Sequence, residues 1–175
     1  DITTAGKILP RWSNNGASEE ALSQYGTYIS ERQISRLYVV GSNDTTAPVI
    51  EASYLRFLTI FDQLLQRHRF VLGDRPSSAD FGIYAQLTQL AKFDPTPMKL
   101  CLDLAPRVHA WTDIVDDLSG QPAEDDGWIE PDGIPEHLGE LLSEVGRVYI
   151  PALLANNAAI DAGHDQMDTT IDGQP

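Results

Sequence analysis

Thiols are almost absent from this sequence: Cys101 is the single cysteine in 175 residues. One thiol excludes an internal disulfide framework, a CxxC redox pair and a cysteine-rich zinc site, each of which needs at least two. It points to a reducing, cytoplasmic compartment. Long apolar runs are missing too. No stretch approaches the roughly 18 residues of a membrane span, and the opening DITTAGKILPRW lacks the charged, apolar, small-residue order of a signal peptide, so a soluble chain is expected. Asp1 stands where an initiator Met would, which suggests truncation or processing. Basic side chains are scarce in one region. The net charge is −14, yet residues 1–111 balance 11 basic against 11 acidic groups, whereas residues 112–175 hold 15 acidic groups and only Arg147. Such a surface repels phosphate, so nucleic acid and membranes are not expected as partners.

What the chain does have is helical spacing. Leu, Ile, Val and Phe make up about 26% of it, above the roughly 20% below which chains tend to stay disordered. No period of 20–50 residues recurs, so a solenoid is not supported. Ser18 followed by Glu19 and Glu20 reads as a capped helix start, and Leu22, Tyr25, Tyr28, Ile29, Leu37 and Tyr38 then fall near one face, with Gly26 and Gln33 as interruptions. VVGSNDTTA reads as a loop. From Pro48 a long helix places Ile50, Tyr54, Phe57, Leu58, Phe61, Leu64 and Leu65 at steps of three and four, and Arg67, His68 and Arg69 complement its negative end.

The segment GDRPSSADFGIYAQLTQLAKFDP combines a turn, a cap and a helix that is apolar on nearly every side. Ser77 and Asp80 have the spacing of a capping box, with Asp in the usual Glu position; Pro76 and Phe81 can staple it, and Gly82 would admit a neighbouring helix closely. A helix of that composition is expected at the centre, ended by Asp94, Pro95 and Pro97. APRVHAWTDIVDDLSG gives a further helix from Pro106 with Val108, Trp111, Ile114, Val115 and Leu118 inward, and Gly120 beyond its end. After an acidic loop, Leu138, Leu141, Leu142, Val145, Val148 and Tyr149 resume helical spacing, and Pro151 should kink or restart that helix. LYVVG is the one short strand candidate. The expected fold is all-α, with residues 1–17 a linker, 18–163 the helical domain and 164–175 a tail.

Gly73, Ser77, Ala79 and Asp80 opening an apolar helix, followed by Ala105-Pro106-Arg107-Val108 with Trp111, resemble the sixth and seventh helices of the glutathione transferase C-terminal domain. The helix at 48–66 takes the place of the fifth. The resemblance covers residues 18–120, and the stretch with AEDDGWIEP is similar to bacterial transferase-like proteins with an extended C-terminus. It implies a helical bundle that forms one wall of an electrophile pocket, mainly from its first helix, so that Tyr25, Tyr28 and Arg32 are candidate substrate-binding residues. It also implies glutathione as co-substrate of the full-length protein, a partner thioredoxin-like N-terminal domain, and a homodimer. No βαβ pattern precedes Ser18, and the Val-Pro then Glu-Ser glutathione clamp is missing. The chain therefore reads as the second domain, without catalytic residues or a cofactor of its own.

Other residues receive plainer readings. Ser77 and Asp80 are a structural cap rather than a nucleophile and base, because no His adjoins them. His68, His109, His137 and His164 lack ligand spacing, so no metal is expected. The acidic loop Glu124, Asp125, Asp126, Glu130 and Asp132 does not follow the calcium-loop order. Glu136, Glu140 and Glu144 look like a solvent face without counter-ions. That face suggests an alternative function, a non-catalytic scaffold that binds a partner through its acidic last third. Cys101 reads as a structural thiol.

Overall fold

The computed structural model describes residues 2–121, 126–171 and 173. Among these no strand forms, and the regular elements are helices: α1 Ile2–Asn14, α2 Glu19–Ile34, α3 Ala47–Leu65, α4 Ser78–Leu87, α5 Pro95–Leu104, α6 Pro106–Asp116, α7 Glu136–Glu144 and α8 Ile150–Asp161. The strand candidate is a 3₁₀ turn, Leu37–Val40, closed by Gly41 at φ 74°. Glu124 and Asp125 of the acidic loop lie outside the described residues.

Most of the segment expected as a linker, residues 1–17, is helical. Ile2–Asn14 is a helix that packs along α2. Two glycines permit it: a Cβ on Gly26 would lie 2.2 Å from the Gly6 carbonyl oxygen. Pro10, four residues after Gly6, has no N–H to offer that carbonyl, so the oxygen is left to face α2. Ser18 caps α2 by accepting from the Ala21 N–H at 3.3 Å, and Leu22 is buried. The ring of Trp12 meets Phe93 at 5.0 Å and ties α1 to the turn after α4.

The core forms where α3 meets α4–α7. Leu58, Phe61 and Leu64 present one face of α3 and pack with Phe70, Leu87, Cys101, Val108, Trp111 and Leu138, all buried. Phe61 and Trp111 meet edge to face, centroids 4.9 Å apart at 84°. Such aromatic pairs add about 0.5–1.5 kcal/mol beyond the area they bury.

Three expectations are corrected. α4 is not enclosed: Phe81 is 50% exposed, and nothing approaches within 4 Å of a Cβ built on Gly82. Asp94, Pro95 and Pro97 do not simply stop a helix. After a π turn at Thr88–Phe93, Asp94 accepts from the Thr96 N–H at 3.0 Å and Pro95 opens α5, the position where a missing N–H is harmless. Glu144 is not without counter-ions: Arg56 reaches it at 3.1 Å and Arg147 also pairs with it, while Glu140 has the His137 ring Nδ1 2.9 Å away.

Pro151 stands in the first turn of α8, where the helix restarts. The ring and missing N–H of a proline disturb the preceding turn, and here that turn is π-helical over Val145–Tyr149, with the Ile150 N–H bonded to the Val145 carbonyl. Residues 167–171, expected as tail, line a cleft with the loop at 41–46.

Candidate functional site

The candidate residues on α2 share one side of it. Packing against α1 uses Leu22 and Gly26, and the same side lines a cleft of about 730 Å³ with Lys7, Arg11 and Ile34. At 100° per residue Tyr25, Tyr28 and Arg32 lie about 60°, 120° and 80° from Leu22, so they flank the packed side rather than oppose it. All three are exposed, Tyr25 by 40% and Tyr28 by 57%, and the two tyrosine rings stack with centroids 6.2 Å apart. The structure therefore brings the three together as a surface that flanks the cleft.

A second feature comes from the open face of α4. Ile50, Tyr54 and Phe57 of α3 and Ile83, Leu87 and Leu90 enclose a groove of about 420 Å³ with Gly82 at its edge and no charged residue in its lining. Ser53, Tyr54 and Gln86 supply its polar groups, and the Tyr54 hydroxyl is occupied, 3.2 Å from the Leu90 carbonyl and 3.4 Å from that of Pro97. Burial, and then the neighbouring Cys101, push the Tyr54 phenol far above its ordinary range, so it stays a neutral donor. Nothing in the residue pattern signals this groove, because apolar residues on α4 read as buried.

The turn before α4 is held by one carboxylate. Asp80 is fully buried; its Oδ2 accepts from the Ser77 N–H at 2.8 Å and the Ser77 hydroxyl at 2.6 Å, and its Oδ1 accepts from the Val71 N–H at 2.8 Å. The capping box is in place. The bond to Val71 extends it, tying the loop after α3 to the start of α4. Gly73 in that loop has φ 130°, and a Cβ there would sit 2.2 Å from the Gly127 carbonyl oxygen. This approach lets Asp74 N–H reach Gly127 at 2.7 Å and Ile129 N–H reach Leu72 at 2.9 Å.

Residues 29–113 match the model of the family described as glutathione S-transferase, C-terminal domain. This match and the all-helical fold support a glutathione S-transferase-like C-terminal domain. The match runs from within α2 into α6, so it includes Arg32, the capping box and the Pro106–Trp111 segment, while Tyr25 and Tyr28 precede it. Comparison with curated proteins and with solved structures found no match. In full-length transferases of this family glutathione is the co-substrate, and domains of this kind commonly dimerise and pair with a thioredoxin-like domain.

Cys101 and Lys92 have local roles. Cys101 is buried with its Sγ 3.7 Å from the Ala105 carbonyl, and burial pushes its thiol up despite the opposing charge of Lys92. Lys92 Nζ lies 3.1 Å from His109 Nδ1 and 2.7 Å from Asp113. Among the described residues no group of three or more His, Cys, Asp or Glu converges as a metal site, and no helix is long and apolar enough to cross a membrane.

Proposed function

We propose that this domain forms the electrophile-side wall of a glutathione transferase whose thiol-activating half lies on a thioredoxin-like domain, in a cytoplasmic homodimer. The observation that carries the reading is the α2 surface: one side fixed to α1 through Gly6 and Gly26, its flank offering a stacked Tyr25–Tyr28 pair beside Arg32. Stacked phenol rings present a π face to an aryl compound, and a guanidinium beside them suits an anionic leaving group. Conjugation needs a thiolate held and activated by preorganised donors, which this surface does not supply. The 175-residue chain alone should therefore leave chlorodinitrobenzene unconjugated. In the full-length protein, Tyr25→Ala with Tyr28→Ala should raise KM for an aryl electrophile several-fold and leave KM for glutathione unchanged. Equal KM values for the electrophile would overturn the reading.

A second reading, an interaction module, is supported by α8. Its residues Ile150, Leu153, Leu154 and Ile160 are between 46% and 66% exposed, and no charged residue stands between Ile150 and Ile160. Two chains of net charge −14 repel, and this uncharged side is where they would approach at least expense. Sedimentation equilibrium of Leu153→Lys with Leu154→Lys tests it: self-association that survives both changes rules α8 out.

A further inference from the structure

One group of basic side chains converges on a single cleft. Three arginines and a histidine line one cleft of about 330 Å³, between the end of α3 and the outer side of α6. Arg67, His68 and Arg69 come from the loop that follows α3, and Arg107 from the first turn of α6. Their obvious duty, satisfying the carbonyls at the end of α3, is already performed by backbone. The Leu64 carbonyl accepts the Arg67 and His68 N–H groups at 3.1 Å each, and that of Gln63 accepts from Gln66 at 3.3 Å.

Little negative charge answers them. Arg107 Nη1 bonds Asp62 at 2.9 Å, and Arg69 Nη2 bonds the neutral Gln121 amide at 2.9 Å. Arg67 and His68 have no side-chain hydrogen bond or ion pair among the described residues. The base of the cleft is apolar and rigid. Trp111 is 2% exposed, and its indole N–H donates to the Arg69 carbonyl at 3.1 Å, which fixes the loop against α6. Leu65 and Ile114 complete that base.

We infer that this cleft binds an oxyanion, carboxylate or phosphate, attached to a small apolar group. Guanidinium forks match the paired oxygens of either anion, and the Trp111–Ile114 base receives the apolar part. The site lies on α3 and α6 and stands independently of the α2 surface.

Calorimetric titration of the chain with phenyl phosphate, phenylacetate and inorganic phosphate tests the assignment. Expected is saturable one-site binding of at least one aromatic anion, weaker binding of inorganic phosphate, and a loss of affinity as salt rises. The tighter aromatic ligand identifies whether phosphate or carboxylate is the preferred group. Arg67→Glu should weaken binding roughly tenfold or more with an unchanged Tm, because that side chain is exposed and holds nothing else in place. Arg107→Ala also removes the cation paired with Asp62, leaving that carboxylate only the Gln66 amide at 3.2 Å, so Arg69→Gln is the second variant, expected to weaken binding without unfolding the chain. No saturable heat with either aromatic anion overturns the inference, as does equal affinity in the wild type and Arg67→Glu.

Discussion

Replacing Asp80 by Ala removes a carboxylate that accepts three hydrogen bonds while fully buried. Loss of the cap itself is worth about 1 kcal/mol. The Val71 N–H is then stranded in a residue only 4% exposed, and an unpaired buried donor adds about 1–3 kcal/mol. Together the change should cost about 2–4 kcal/mol. With a urea slope near 2 kcal/mol/M, the unfolding midpoint should fall by about 1–2 M. Ser77→Ala keeps the Asp80–Val71 bond and should lose only about 1 kcal/mol. Asp80→Asn retains one acceptor but turns an NH₂ toward an N–H, so it should fall between the two. Urea denaturation followed by circular dichroism measures all three. An unchanged midpoint for Asp80→Ala, or equal losses for Asp80→Ala and Ser77→Ala, would refute the assignment of a carboxylate joining the loop to the helix.

Two glycines should respond in opposite senses. Gly26→Ala improves helix propensity, yet its Cβ meets the Gly6 carbonyl at 2.2 Å, so amide exchange along α1 should accelerate. Gly82→Ala has open space around it and should gain about 0.5–1 kcal/mol of stability in thermal unfolding; a loss would mean that a neighbour closes over α4. Cys101 should resist a thiol reagent at pH 8 in the native state and react at the rate of unfolding. Because burial raises its folded pKa above the ordinary 9.0, the stability linked to it is fully present below pH 9 and is lost as pH rises through the folded value. Rapid labelling of the native chain would show the thiol to be accessible.

The sequence made α2, α3, α4 and α6 legible because each carries its own start signal: Ser18, Pro48, the Ser77–Asp80 pair and Pro106. α1 and α5 escaped for different reasons. Residues 1–17 read as a linker, yet Pro10 is tolerated within a helix because the Gly6 carbonyl faces α2; Pro95 and Pro97 read as breakers, but Pro95 occupies a first helical position. Of the candidate site, the shared side of Tyr25, Tyr28 and Arg32 follows from spacing alone. The groove on α3–α4 does not, since it depends on Phe81 and Gly82 being uncovered. The pairing of Glu144 with Arg56 joins residues 88 apart, a relation that local patterns cannot carry.

The approach of Gly73 to Gly127 bears on the order of folding. Joining residues 72–74 to 127–129 closes a loop that holds α4, α5 and α6, and closing a loop of some fifty residues costs about 3–4 kcal/mol of chain entropy. The two backbone bonds made there return about 1–3 kcal/mol, so on their own they do not close it. Packing of α4–α6 on α3 must shorten the loop first, which makes this junction a late event. Interactions absent from the transition state govern escape from the native state. A side chain placed at Gly73 would then speed unfolding while leaving the folding rate almost as it was.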